Sequence, residues 1–76
     1  EQSVLFSDPL LIDAIRIVRD TGIASVSHIQ RYMKIGYARS GRLIDEMERL
    51  GIISTYNGTN LRTVIMTPEQ INNILK

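Results

Sequence analysis

The spacing of apolar residues in two stretches of this chain constrains its fold more than any other feature. The first stretch repeats apolar residues at i, i+3, i+4 and i+7, namely Leu11, Ala14, Ile15 and Val18. The second keeps the same period, with an inward set of Ser40, Leu43, Ile44, Met47 and Leu50. This period lines side chains along one face of an α-helix, so both stretches are predicted to form helices that bury one face.

Capping residues set the ends of the first helix and indicate a shorter helix after it. Asp8 suits the N-cap and Pro9 the first helical position, while Gly22 suits a C-terminal stop. Ser25 is then a good cap for a second helix over residues 26–33. The inward residues of this second helix are predicted to be Val26, Ile29 and Met33.

A turn that contains Gly36 leads into the third helix, which is predicted to run from Tyr37 to Leu50 and to end at Gly51. Gly41 interrupts this helix at a cost of about 1 kcal/mol relative to Ala. Because Gly41 lies next to the inward face, we expect it to allow close packing of the second helix against the third. Two short helices joined by a tight turn form a helix-turn-helix.

The residues after the third helix predict a β-hairpin. β-branched residues are frequent over 52–56, and a return strand is predicted over 62–66. Asn57-Gly58 is the strongest hairpin signal, and the loop is either these two residues or the longer segment 57–61. A further, very short strand is expected at 23–24. A hairpin that follows the third helix turns a helix-turn-helix into a winged helix.

The two ends of the chain lie outside this unit, which we place at residues 8–66. Residues 1–7 show no periodicity and are expected to be a flexible lead-in. The C-terminal extension, 67–76, opens with a capping box from Thr67 to Gln70 and continues as a short helix. The apolar side of this helix consists of Ile71, Ile74 and Leu75. We expect this side either to pack on the domain or to pair with another copy. The predicted fold class is α+β, mostly α: a winged helix-turn-helix with three helices, a β-hairpin wing and an extra short C-terminal helix.

Composition argues against several classes of function. The chain has 76 residues, enough for one small domain, and none of them is Cys. Its single histidine, His28, is expected on an exposed helix face and makes neither a metal site nor a catalytic site alone. A Walker-type phosphate loop is absent from the sequence. We expect no catalysis, metal, cofactor or membrane contact in this domain, and because it begins with Glu1 rather than Met, we expect it to be part of a longer protein.

Charge is sorted along the chain, although the formal net charge is only +1. No acid lies between Asp20 and Asp45, and the bases in this gap are Arg31, Lys34, Arg39 and Arg42. A gap of this length is by itself equally compatible with chance. It includes the first two turns of the third helix, however, where the helix dipole would favour acids. In a helix-turn-helix this part of the second motif helix enters the major groove, where acids would face phosphates.

Three residues of the third helix are predicted to read bases: Arg39, Arg42 and Ala38. A guanidinium bonds bidentately to O6 and N7 of guanine, and each such pair contributes about 1–3 kcal/mol of discrimination. The alternative for Arg42 is an i,i+4 ion pair with Glu46 on a solvated face. Ala38 either packs against a thymine methyl group or is simply a good helix former.

A second set of residues is predicted to contact the DNA backbone, namely Ser25, Ser27, Gln30, Arg31, Lys34 and Tyr37. Hydroxyls and free amides at a helix start can clamp a phosphate, although Ser25 is equally well explained as a cap. Tyr37 either bonds a phosphate or packs as the first inward residue. The predicted wing contacts, unless the hairpin is an ordinary surface feature, are Asn57, Thr59, Asn60 and Arg62.

The long, ungapped stretch ASVSHIQRYMKIGYARSGRLIDEMERLGIIS, which begins at Ala24, resembles the γ domain of FtsK/SpoIIIE-type DNA translocases. The upstream DPLLIDAIRIV and the later NGTNLRTVIM are similar to the family's lead-in and wing, so the resemblance covers 8–66. It implies a winged helix of a hexameric, membrane-anchored motor that recognises short, polar, G-rich sequences. Those sequences orient the motor on the chromosome.

The resemblance also implies partners and a location. The partners are double-stranded DNA, other copies of the domain on that DNA, and a Xer-type recombinase whose site-specific recombination is activated. The domain would be cytoplasmic, in a bacterial protein anchored in the inner membrane, and the full-length motor would use ATP and Mg²⁺. The DNA-contacting role is carried over to Ser25, Ser27, Gln30, Arg31, Lys34, Tyr37, Arg39, Arg42 and Arg62.

Three departures from the family pattern bear on this expectation. Ala38 stands where Asn is usual, which alters or relaxes base preference at one step, because Asn reads adenine bidentately. Ser40 and Gly41 stand where the family has two Ala residues, which softens the helix, and Thr63 replaces a Glu in the wing. The alternative function is a protein-docking winged helix that uses its first or last helix and has only non-specific DNA affinity; a free-standing transcription regulator is a third.

Overall fold

The computed structural model describes residues 8–56, 58 and 61–75. Its elements are α1 (Leu11–Thr21), β1 (Ala24–Ser25), α2 (Val26–Met33), α3 (Tyr37–Arg49), β2 (Leu61–Arg62) and α4 (Pro68–Leu75). The predicted mostly helical α+β class, with a small antiparallel sheet as in a winged helix, is confirmed. The lead-in predicted over 1–7 lies outside the described residues.

The predicted apolar stripes form the core. The fully buried residues of α1 and α3 are Leu11, Ala14, Ile15, Val18, Ser40, Leu43, Ile44 and Met47. Val26, Met33 and Leu50, which were also predicted to point inward, are only partly buried at the edge of this core. Ile71 of α4 is buried as well, and α4 packs against α1. The C-terminal helix therefore covers its own domain.

The first helix begins later than predicted, at Leu11 rather than at Pro9. Asp8 Oδ1 accepts a hydrogen bond from the Leu10 N–H (3.0 Å), and the Asp8 carbonyl accepts one from the Leu11 N–H (2.9 Å). Asp8 thus closes a turn that precedes the helix instead of capping it. The placement of Pro9 as the first helical residue was wrong because this turn takes up Pro9.

Three other helix ends confirm their predictions. Gly22 and Gly51 end α1 and α3 with φ angles of 72° and 82°, a left-handed conformation that is strained for residues with a Cβ. At the start of α4, the Thr67 N–H donates to Gln70 Oε1 (2.9 Å) and the Gln70 N–H donates to Thr67 Oγ1 (3.2 Å). This is the reciprocal capping box, with Pro68 as the first helical residue.

The second helix has its predicted bounds, and the Ser25 hydroxyl caps it by accepting from the His28 N–H (3.1 Å). The turn after it differs from the prediction, which relied on Gly36. Lys34 adopts the left-handed conformation with φ 57°, whereas Gly36 is extended with φ −73°. Lys34 therefore makes the turn that angles α3 away from α2.

The wing is less regular than predicted. β2 pairs antiparallel with β1, with Ala24 opposite Arg62. The segment 52–56, predicted as a strand, contributes only a single antiparallel bridge between Ile53 and Val64. The reason is burial: Ile52 and Ile53 are adjacent and both fully buried, whereas successive side chains of a regular strand point to opposite faces.

Candidate nucleic-acid interface

The first two turns of α3 carry no acid of their own, although Asp8 from the turn before α1 lies against Arg39. Tyr37, Ala38 and Arg42 are exposed on these turns, and Arg39 is half-buried. Ser40 faces inward, and its Oγ donates to the Gly36 carbonyl (2.9 Å), which ties the first turn of the helix together. The helix start is thereby held against the core while its basic side chains remain outside.

Arg39 forms a two-point ion pair with Asp8, which the sequence did not indicate. Arg39 Nε donates to Asp8 Oδ2 (3.1 Å) and Nη2 donates to Oδ1 (2.8 Å). These hydrogen bonds hold the pKa of the Asp8 carboxyl below its usual value, and the hydrogen bond from the Leu10 N–H lowers it further. The expectation that both arginines of α3 stand clear of carboxylates was therefore wrong for Arg39. The two residues lie 31 positions apart, so no local pattern could have revealed the pair.

Arg42 differs from Arg39 in its exposure and in its contacts. It is exposed, and within the described part of the chain it makes no ion pair or hydrogen bond. The predicted alternative, pairing with Glu46, does not form because Glu46 pairs with Arg49 instead. Arg42 is near enough to Asp8 for its charge to contribute to the lowered pKa of that carboxyl. The Arg42 guanidinium is therefore available to a ligand, next to the held guanidinium of Arg39.

Residues of the predicted backbone-contacting set differ in exposure. Ser27, Arg31, Lys34 and Tyr37 are exposed and Gln30 is half-buried, whereas Ser25 is buried beneath its capping bond. For Tyr37, whose side chain is 71% exposed, the alternative of inward packing is excluded. Ser25 acts as a cap, so its hydroxyl is not presented for a phosphate. His28, expected on an exposed face, is half-buried and packs edge-on against Tyr32 with 5.1 Å between ring centroids.

Arg62 does not extend from the wing as predicted. Its side chain is only 10% exposed, and Nη1 donates to Glu48 Oε1 (2.8 Å) and to the Ser54 carbonyl (3.0 Å). Its guanidinium also lies over the ring of Tyr56, 5.6 Å from the centroid. Arg62 joins the wing to the end of α3, with Asp45 a further 3.9 Å partner. The guanidinium of Arg62 is therefore held within the domain, whereas the predicted wing contact would need it exposed.

Two further predictions concern the region beside α3. Asn57, Thr59 and Asn60, the other predicted wing contacts, lie outside the described residues. Close packing of α2 against α3 does not depend on Gly41 as expected, because a Cβ built on it meets no atom of the part of the chain that the structure describes within 4 Å. Instead, Gly41 lines a groove between α3 and the wing, together with Tyr37 and Tyr56.

Within the described residues, no helix combines the length and the apolar character that crossing a bilayer requires. The family model of the FtsK gamma domain matches residues 6–67. DNA translocase FtsK of Caldanaerobacter subterraneus subsp. tengcongensis is 48% identical over 69 residues, which are 91% of this chain and 10% of that protein. DNA translocases FtsK of Treponema pallidum and Tropheryma whipplei are 48% and 37% identical over 78% and 88% of the chain.

The chain thus spans a tenth or less of the length of these relatives. The matched residues include all of α1, α2, α3 and the wing, and they end at the Thr67 cap of α4. The match therefore covers the start of α3 and the pair that joins Asp8 to Arg39. This chain belongs to the FtsK gamma domain family.

Proposed function

We propose that this domain binds double-stranded DNA sequence-specifically and orients a chromosome translocase on polar, G-rich motifs. The observation that carries the proposal is the exposed Arg42, which has no partner among the described residues and lies on a helix start without acids of its own. A helix with such a start can enter the major groove by its N-terminal end. A guanidinium there can bond bidentately to O6 and N7 of guanine.

The residues around the start of α3 also suit a duplex whose major groove receives the N-terminal end of this helix. Arg31 and Lys34 are exposed at the end of α2 and at the turn, where they would flank a bound duplex. Ser27 and Tyr37 add exposed hydroxyls next to them. Such groups position a protein on phosphates without reading sequence. We therefore assign Arg42 and Arg39 to base reading, and these four residues to the DNA backbone.

The carboxylates in the later turns of α3 are placed compatibly with this role. Asp45 and Glu48 lie beyond the first two turns of α3 and pair with Arg62, and Glu46 pairs with Arg49. Their charge is thus compensated by Arg62 and Arg49, although Glu46 lines the same depression as Arg39 and Arg42. Several copies of the domain, tethered to a translocase, would gain avidity on repeated sites without new contacts.

The proposal is tested by selecting bound duplexes from a random pool at two salt concentrations. We expect an asymmetric, G-rich consensus whose affinity falls roughly 5–150-fold in Arg42→Ala, the equivalent of about 1–3 kcal/mol. Arg16→Ala is the matched control, because Arg16 is an exposed arginine of α1 away from α3. A pool without a consensus, bound only through a steep salt dependence, would rule out sequence-specific recognition.

A second candidate function is docking of a protein partner, such as a Xer-type recombinase. It is favoured by two large apolar side chains of the return segment, Leu61 and Ile65, which are 56% and 58% exposed. The C-terminal helix is a weaker candidate surface than expected, because its Ile71 is buried in the core. Ile65→Ser should abolish recombinase binding and leave DNA affinity unchanged if this surface docks the partner.

A further inference from the structure

We propose that Asp8 is a specificity-determining positioning residue that holds the Arg39 guanidinium by one edge and presents its other edge to a guanine. The inference rests on the DNA-binding function proposed above and deepens it. It assigns a role to a residue outside the helix-turn-helix, in the turn before α1.

The geometry of the pair leaves the reading edge of Arg39 open. A guanidinium has five N–H donors in a planar fork. Asp8 engages Nε and one donor of Nη2, at 3.1 Å and 2.8 Å. One N–H of Nη1 and the second N–H of Nη2 remain along the terminal edge, and the other Nη1 N–H points back toward Cδ. That edge is the one that can bond side by side to guanine O6 and N7.

Asp8 is itself held firmly enough to position another residue. Its Oδ1 accepts from the Leu10 N–H and its carbonyl accepts from the Leu11 N–H. Leu11 is fully buried, so the second bond connects the backbone of Asp8 to the core, while the first restrains its carboxylate. An arginine restrained in this way loses less side-chain freedom when it binds, which favours the correct complex.

The charge of Asp8 acts on specific and non-specific binding in different ways. The carboxylate neutralises Arg39, so a phosphate gains little from approaching the pair. A guanine edge still gains two hydrogen bonds from the oriented guanidinium. Removing the charge of Asp8 should therefore strengthen binding to any DNA and weaken discrimination for guanine. A merely structural role for Asp8 would not move these two quantities in opposite directions.

Asp8→Asn provides the test, because Asn retains an oxygen for the Leu10 N–H. First, Arg39→Ala identifies the base pair that Arg39 reads in the selected duplex. We then expect Asp8→Asn to reduce discrimination at that base pair about fivefold or more. Affinity for unrelated DNA should rise, with a steeper salt dependence. Asp13→Asn is the matched control, since Asp13 is an exposed acid of α1 paired with Arg16, and it should leave discrimination unchanged.

Asp8→Glu separates charge from position, because it keeps the carboxylate and moves it by one methylene. We expect it to lose discrimination at the same base pair without a gain in non-specific affinity. Thermal unfolding of each variant checks that the fold is intact. If Asp8→Asn retains full discrimination, or if Arg39→Ala changes no base preference, the inference is overturned while recognition through Arg42 stands. A wild-type chain without any preferred sequence would instead refute the proposed function.

Discussion

Gly41 gives a test of the balance between helix propensity and packing in α3. The glycine lies in the interior of a helix that runs from Tyr37 to Arg49, where Gly is about 1 kcal/mol less favourable than Ala. A Cβ at this position meets no atom of the described residues within 4 Å, so we expect Gly41→Ala to introduce neither a clash nor a packing contact. The expected effect is therefore the propensity difference alone, a stabilisation of about 1 kcal/mol.

Urea unfolding followed by circular dichroism measures this effect. For a domain of this size, about 1 kcal/mol corresponds to a rise in Tm of roughly 4–8 °C. Gly36→Ala is the matched control: it also adds a Cβ in open space, but at the N-cap rather than in the helix interior. There we expect a loss of roughly 0.5–1 kcal/mol, because Gly is the better cap. A Gly41→Ala variant that is less stable than wild type would refute the reasoning, since it would require a close neighbour at this position.

Three further predictions follow from the contacts described above. Arg62→Met should destabilise the domain by about 1–3 kcal/mol in urea unfolding, because the Glu48 carboxylate and the Ser54 carbonyl lose a donor. Lys34→Gly should stabilise the domain by about 0.5–1 kcal/mol, since glycine adopts the left-handed turn without strain. The same variant should show a less steep salt dependence of DNA binding, because about one phosphate contact is lost. The pKa of Asp8 is lowered in the fold, so its pairing stabilises the native state above the unfolded pKa and is lost as pH falls through the lower, folded value. Acid unfolding should therefore be less steep for Asp8→Asn than for wild type below about pH 4.

Local signals predicted most of the helical framework correctly. The stripe of α1, the bounds of α2, the Ser25 cap and the capping box of α4 all depend on residues within about four positions of each other. Helix periodicity and capping depend on residues within about one helical turn, so both can be recognised from the sequence alone. The exposed face of α3 follows from the same periodicity, because burying one side of a helix leaves its other side to solvent.

Apart from the local turns at Pro9 and Lys34, the errors involve residues that are distant in the chain. Asp8 was assigned to a helix cap and Arg62 to a wing contact, yet each has its main charged partner on α3, 31 and 14 positions away. Pairing of β2 with β1 was likewise not predicted from the hairpin signal. Charge alone cannot say which of several acids an arginine will meet, since that depends on how the elements pack.

The amino-acid sequence by itself determined that this chain forms short amphipathic helices around a helix-turn-helix and that one helix start is free of acids. Only the tertiary structure decided which arginine is free and which is held. The packing of α1 beside α3 brings Asp8 to Arg39 and leaves Arg42 exposed, and the wing encloses Arg62 against Glu48. A side chain's availability to a ligand is set by what surrounds it in space, and those neighbours come from segments whose separation along the chain carries no local pattern.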